Sequence, residues 1–428
     1  MVSIFIRHSL LAVALSLPCL ALAADAAPLT LTAAVQLAVA QSRLMEAGRW
    51  QAIAARDMAV AAAQLPDPVL KLGVNNLPIN GEDRFSLTRD FMTMRSVGVM
   101  QELTREDKRR ARGIRADKEA EIAEARRTLV QSQVQTQAAV AWLERHYQER
   151  MLALLMRQRD ETRLQIEAAD AAYRTGRGAQ AEVFAARSMV AQMDDRVAMA
   201  QRQVATGKAQ LARWIGVASE QPLADLPRLD AVRLNETKLE SELLHHPQIA
   251  VMDKQEAMAL ADAELARANK NADWSLELMA SQRGPAYSDM VSINLSLPLQ
   301  WDQKKRQDRE LAAKLATLAQ IGAEREDALR AHVAEVRAML HEWQSNLARL
   351  KRYDETFLPL SAERTRAALA AYRGGVSAGA SLGTVLEARR AEIDADLERL
   401  RLEMETARLW AQLTYLAADA QDAARAKP

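Results

Sequence analysis

Two rhythms of apolar residues alternate along this chain. The first is helical. From Arg105 to Arg174 there is no proline and a single glycine, Gly113. Val140, Leu143, Tyr147, Met151 and Leu154 recur there at steps of three and four, the seam of one helix packed on another. Such a rod spans roughly 105 Å. A turn at 175–179 and a further helix over 180–215 follow, stopped by Gly216. The second rhythm has period two. Leu70, Leu72 and Val74 alternate with polar or small neighbours, and Phe85, Leu87, Phe91, Val97 and Val99 share one parity. These patterns predict strands over about 69–79 and 85–103. Arg89 and Arg95 fall on the apolar parity of the second strand, which makes it the less regular and allows a bulge. Upstream, Leu29 to about Ala40 and Ser42 to Leu65 read as helices, the latter stopped by Pro66-Asp67-Pro68.

The same order then recurs. A short helix stops at His246-Pro247, and another runs to about Lys270. Trp274, Leu276 and Leu278, and then Val291, Ile293, Leu295, Leu297 and Leu299, alternate with polar partners, predicting strands over about 274–282 and 290–299. A second rod is expected over about 301–373, a turn at 374–383, and a helix over 384–416 whose seam is Ile393, Leu397, Leu400 and Met404. The words recur as well as the order. Ser96-Val97-Gly98 with Lys108-Arg109-Arg110 is echoed by Ser292-Ile293-Asn294 with Lys304-Lys305-Arg306. Ala171-Ala172-Tyr173-Arg174 is echoed by Ala370-Ala371-Tyr372-Arg373, and Ala209-Gln210-Leu211 by Ala411-Gln412-Leu413. Each echo lies about 200 residues on, too long a period for a solenoid. The chain reads as two copies of one unit, 24–233 and 234–418, with a tail at 419–428.

Composition narrows what such a chain can be. Arg7, the apolar run Leu10 to Leu17 and Ala21-Leu22-Ala23 read as an export signal over 1–23. A lipoprotein signal ending at Cys19 is the competing reading, and Pro18 stands where it wants a small residue. Cleavage after Ala23 removes Cys19, the only cysteine, and with it any disulfide, thiolate ligand or thiol nucleophile. It also removes Arg7, which leaves 56 cations against 56 acids and no electrostatic case for nucleic acid. No other segment approaches the apolar length of a transmembrane helix. No zinc-protease pattern, phosphate loop or nucleophile elbow is present. The histidines do not organise: His245 and His246 adjoin without a cysteine, and His332 and His341 point to opposite sides of a helix. Neither a catalytic site nor a cofactor or metal site is expected.

The strands remain to be explained. Four of them cannot close a membrane barrel, because small barrels need about eight. Three chains would supply twelve strands and remove every edge. A periplasmic coiled-coil adaptor or structural protein without a barrel is the alternative; it accounts for the rods and the signal but leaves the strand pairs without a purpose. An exported enzyme fails for lack of a site.

The duplicated plan, the Tyr-Arg-x-Gly turns at Tyr173 and Tyr372, and Val385-Leu386-Glu387-Ala388 carry a resemblance to the TolC family of outer-membrane efflux channels, over nearly all of the mature chain. The fold class this implies is mainly α with a membrane β-barrel portion: a homotrimer with a twelve-stranded β-barrel in the outer membrane and a periplasmic α-helical barrel whose tip opens and closes. The implied partners are a periplasmic membrane-fusion adaptor, an inner-membrane pump of the RND or another type, and outer-membrane lipid. The chain would be a passive exit duct. Metal ions are the favoured cargo, on Met92, Met94 and Met100 and a general likeness to the heavy-metal branch, although a methionine group in an apolar strand is more simply filler.

The candidate sites follow. Tyr173, Arg174, Gly176, Tyr372, Arg373 and Gly375 would form the tip that docks the adaptor. By position in the family, Thr384 and Glu387 would form the gate or selectivity ring; only Glu387 is acidic, and Glu182 is a possible substitute. Lys108, Arg109, Arg110, Lys304, Lys305 and Arg306 would contact inner-leaflet phosphates, or simply be a solvated face. Trp274 and Trp301 would join an interfacial girdle or pack at the helix junction. Thr104 with Asp107, and Asp302, are positioned to cap the two rods.

Overall fold

The structure is a computed structural model describing residues 27–176, 178–374 and 381–416. The expected signal at 1–23 with Cys19, Arg177 and Gly375 of the tip turns, and the tail at 419–428 lie outside the described residues.

Nine α-helices and four strands are described. Thr30 caps α1 (Leu31–Gln41), its hydroxyl accepting from the Ala33 amide, and Ser42 caps α2 (Arg43–Ala62) in the same way. Strands β1 (Val69–Asn75) and β2 (Met94–Leu103) lead into α3 (Glu106–Arg174). Then come α4 (Gln180–Ile215), a connection holding the short α5 (Leu239–Leu243), and α6 (Pro247–Ala268). Strands β3 (Trp274–Gln282) and β4 (Met290–Ser296) precede α7 (Gln307–Arg352). One π turn, Tyr353–Phe357, joins α7 to α8 (Leu358–Gly374), and α9 (Leu382–Thr414) closes the described chain.

The helices form two stacked layers that share α3. Nearer the strands, α2, α3, α6 and α7 lie side by side. Arg56 pairs with Glu124 across α2 and α3, and Asp262 of α6 takes both Arg115 of α3 and Lys314 of α7. Farther away the order is α4, α3, α9 and α8. There Arg163 pairs with Asp194, Gln158 donates to Asp396, and Arg399 pairs with Asp354. A long rod in one piece is thus flanked by shorter helices set end to end.

The largest core lies where the layers meet. Trp142, Tyr147, Leu143, Leu211 and Ile215 are buried there with α1 and the ends of α7 and α9. The connection after α4 wraps this core. Gly216 turns it out of the helix at φ 58°, a conformation that favours glycine. The Arg145 guanidinium donates to the Ser219 and Gln221 carbonyls, and the Trp410 indole donates to Ala231.

Several expected boundaries are corrected. The strands predicted at 69–79 and 85–103 are shorter, and 76–93 is an irregular loop. Its own side chains hold it: the Ser86 hydroxyl accepts from the Thr88 and Arg89 amides, and Asp90 accepts from those of Met92 and Thr93. Such local bonds compete with a strand ladder. Asn76 and Phe85 also sit at φ 55°, outside the strand region. The strand predicted at 290–299 ends at Ser296. The second rod begins at Gln307 rather than 301, because Asp302 accepts from the Lys305 amide in a separate turn. Nor does Thr104 with Asp107 cap α3. Arg105 holds the cap position, and its amide donates to Asp273.

Candidate functional site

The four strands form one antiparallel sheet in sequence order, so each copy of the unit contributes one hairpin. Side chains alternate across a strand, and the register therefore fixes which residues share a face. Leu70 and Leu72 of β1 stand opposite Val99 and Val97 of β2. These stand opposite Leu278 and Ala280 of β3, which stand opposite Ile293 and Val291 of β4. Leu103 with Trp274, and Leu276 with Leu295, extend the same face toward the helices. The face is uncovered: Leu72, Val291 and Ile293 are each about seven-tenths exposed.

The opposite face is polar. It carries Lys71, Ser96, Glu277, Ser281, Ser292 and Asn294. The Lys71 ammonium reaches Glu277 at 3.0 Å across the intervening β2. Gly98 lies between, and a β-carbon there would come within 2.9 Å of the Leu278 carbonyl. Met94 and Met100 share this polar parity with Met279 and Met290, while Met92 lies in the loop. Met94 and Met100 thus lie off the face that carries Leu70, Leu72, Val97 and Val99, which corrects the lipid-facing part of their reading as core or lipid-facing filler. The sheet is open, with β1 and β4 as free edges.

At the helix end of the sheet, the six expected interface cations divide. Lys108 is corrected outright. It is buried, and its ammonium is held by Asp273 at 2.6 Å and by the Asn271 carbonyl. Burial works to raise the Asp273 carboxyl, but Lys108 and the Arg105 amide outweigh it and hold the group below the usual carboxylate range. Lys108 thus locks the start of α3 to the start of β3, buried away from any surface phosphate. Arg109 is half-buried. Arg110 is exposed and pairs with Glu106. Lys304, Lys305 and Arg306 are all exposed, as is Trp301, while Trp274 is half-exposed beside Leu103.

At the far end, α3, α4, α8 and α9 meet around a small core of Ala169, Val183, Ala186, Leu382, Val385 and Leu386, with Tyr372 packed at its margin. Glu182 is part of that joint. Its carboxylate accepts from the Leu382 amide at 3.3 Å, where it satisfies a donor and favours the positive end of α9. Burial, and then the Glu182 charge, push the Tyr372 phenol up. Thr384 and Glu387 lie one turn apart on an exposed face of α9. Tyr173, Arg174 and Gly176 are exposed at the first turn, where Gly176 takes φ 69°. Arg373 is exposed at the end of α8.

The histidines do organise, contrary to expectation. His246 caps α6, its Nδ1 accepting from the Gln248 amide, and its ring lies 4.2 Å from that of His332 on α7. Burial, and then His332, push His246 down to about 4 against the pull of the Leu416 carbonyl. Both rings are buried. No group of three metal-binding side chains occurs among the described residues, and no described helix is long and apolar enough to cross a membrane.

This architecture, long helices in two layers with one amphipathic sheet at the end, is the fold of TolC-type outer-membrane channels. The outer-membrane channel OprN is similar over 90% of this chain and 89% of its own, with a TM-score of 0.75 at 17% identity. Campylobacter jejuni CmeC, another outer membrane channel, matches over 90% and 85%, with a TM-score of 0.73 at 12% identity. CusC matches over 90% and 92%, with a TM-score of 0.69 at 17% identity, so the likeness does not single out its branch. No protein-family model matches the sequence, and no curated protein does. At these identities the likeness establishes the fold.

Proposed function

We propose that this chain is one third of an outer-membrane exit channel, a passive conduit in a tripartite efflux system. The observation that carries the reading is the uncovered aliphatic face of the sheet. In water that face is a large unpaired apolar patch. In a bilayer it is the outside of a barrel, and the polar face with Lys71 and Glu277 lines a wet lumen. Burying one aliphatic side chain is worth about 1.5–3 kcal/mol, so lipid contact along four strands contributes heavily to stability. The free edges of β1 and β4 then pair with those of two further copies, because exposed strand edges do not persist in hydrocarbon. The tip built on Tyr173, Arg174, Tyr372 and Arg373 would dock a periplasmic adaptor joined to an inner-membrane pump. Thr384 and Glu387 would line the narrow end, and Arg110, Lys304, Lys305 and Arg306 would sit at the inner-leaflet headgroups. Glu182, which holds the joint between α4 and α9, would stand close to that end as well.

Disulfide cross-linking tests the closure. Within one chain β1 and β4 are three strand spacings apart, about 14 Å, which no disulfide bridges. Single cysteines at Leu70, Leu72 or Val74, each combined with one at Val291, Ile293 or Leu295, are expected to yield covalent dimers and trimers in membranes for the pairs in register. Absence of any inter-chain product along both edges would contradict the reading.

A further inference from the structure

The aliphatic face has a dent near its loop end. Across the sheet runs the row Leu72, Val97, Ala280 and Val291, and Ala280 is its only small member. A cavity of about 420 Å³ opens there. Val97, Ala280 and Val291 line it toward the helices and Arg95, Gln282 and Asp289 toward the loops, with the intervening Ser96, Ser281 and Met290 also in its lining.

Arg95 is the anomaly of this face. It continues the outward parity of Val97 and Val99, is exposed, and makes no ion pair or hydrogen bond among the described residues. From Arg95 to Leu103, the outward residue at the other end of β2, the strand rises about 26 Å, close to the height of a barrel's apolar band. Arg95 therefore stands at the loop-side margin of the band, where a charge is cheap, and not at its middle. Two more arginines at this end have no carboxylate partner among the described residues. Arg84 lies over the Phe85 ring, and Arg283 donates to the Ser288 and Phe91 carbonyls. The nearby Asp83 is taken by Arg89, and Asp90 by backbone amides.

We propose that this notch seats a phosphorylated, acylated lipid of the outer leaflet, one acyl chain in the Ala280 dent and a headgroup phosphate on the Arg95 guanidinium. An apolar slot surmounted by a planar cation matches such a lipid in both its parts. Asp289 lines the same cavity and opposes the phosphate, which gives the proposal a sign. The proposal rests on the channel reading, since only a membrane-facing sheet meets a lipid.

The test uses the full chain, extracted in mild detergent and supplied with bisphosphorylated lipid A, its dephosphorylated form, or inorganic phosphate, with retained lipid counted by native mass spectrometry. Arg95→Gln and Ala280→Leu are each expected to lower retention of the phosphorylated lipid about tenfold, and Asp289→Asn to raise it. All three positions are exposed, so the fold tolerates these changes. The dephosphorylated form should bind wild type and Arg95→Gln alike. Equal retention by wild type and Arg95→Gln in a cross-linkable, membrane-inserted protein would overturn the notch alone. So would displacement of the lipid by millimolar inorganic phosphate, which would mean a bare anion site. A chain that never enters the membrane fraction would remove the channel reading and the notch together.

Discussion

At the scale of single residues, long-range pairs carry the joints. Lys108 and Asp273 fasten the rod to the sheet, and Glu182 fastens α4 to α9. His246 and His332 meet at the boundary between the helical layers, next to Glu335 on α7, 3.5 Å from His332. Folding lowers the His246 pKa from 6.5 to about 4. Between those values the unfolded chain binds the extra proton, so stability is fully present above about pH 6.5 and falls toward pH 4. Lowering the pH from 7 to 5 is expected to cost about 2 kcal/mol through this group. His246→Asn keeps a capping acceptor and removes the titration. Thermal unfolding at the two values should show a smaller acid loss in the variant; an equal loss would assign the effect elsewhere. None of these pairs was legible beforehand. Periodicity reports which face a residue takes on its own element, and it carries no information about a partner about 80 to 200 positions away.

At the scale of elements, the sequence was informative where one rhythm ran unopposed. The seam at Val140, Leu143 and Tyr147 sits in the largest core, and the strand at 274–282 has the predicted bounds. It misled where the rhythm was local accident. Phe85, Leu87 and Phe91 keep strand parity, yet Ser86 and Asp90 bind neighbouring amides and fold the segment into a loop. The parity of Arg95, which made β2 look irregular, proved meaningful, since the residue lies at the margin of the apolar face. The depth of that face gives the element-scale prediction. Leu278 stands mid-strand between Val99 and Ile293, and Leu103 at the helix-side end. Leu278→Lys is expected to cost about 2–4 kcal/mol of membrane stability and Leu103→Lys at most about 1 kcal/mol. Urea unfolding from liposomes compares them directly; equal costs would mean that the face does not span a bilayer.

At the scale of the whole molecule, each copy of the unit gives one hairpin and one set of helices, and neither closes anything. The sheet has two free edges, and the outer helices α2, α4, α7 and α8 leave Trp50, Phe184, Leu315 and Leu360 uncovered along the flanks of both layers. Open sheet edges together with uncovered helical flanks are what a subunit of a closed ring presents before assembly. The joints of α3 with α4 and of α8 with α9 lie at the end opposite the strands, so the two ends of the molecule are separated by the length of the rod. The most direct test is the mass of the membrane-extracted protein, measured by light scattering with the detergent contribution subtracted. Three chains per particle are predicted. A stable single chain, soluble without detergent and with the sheet intact, would contradict the account.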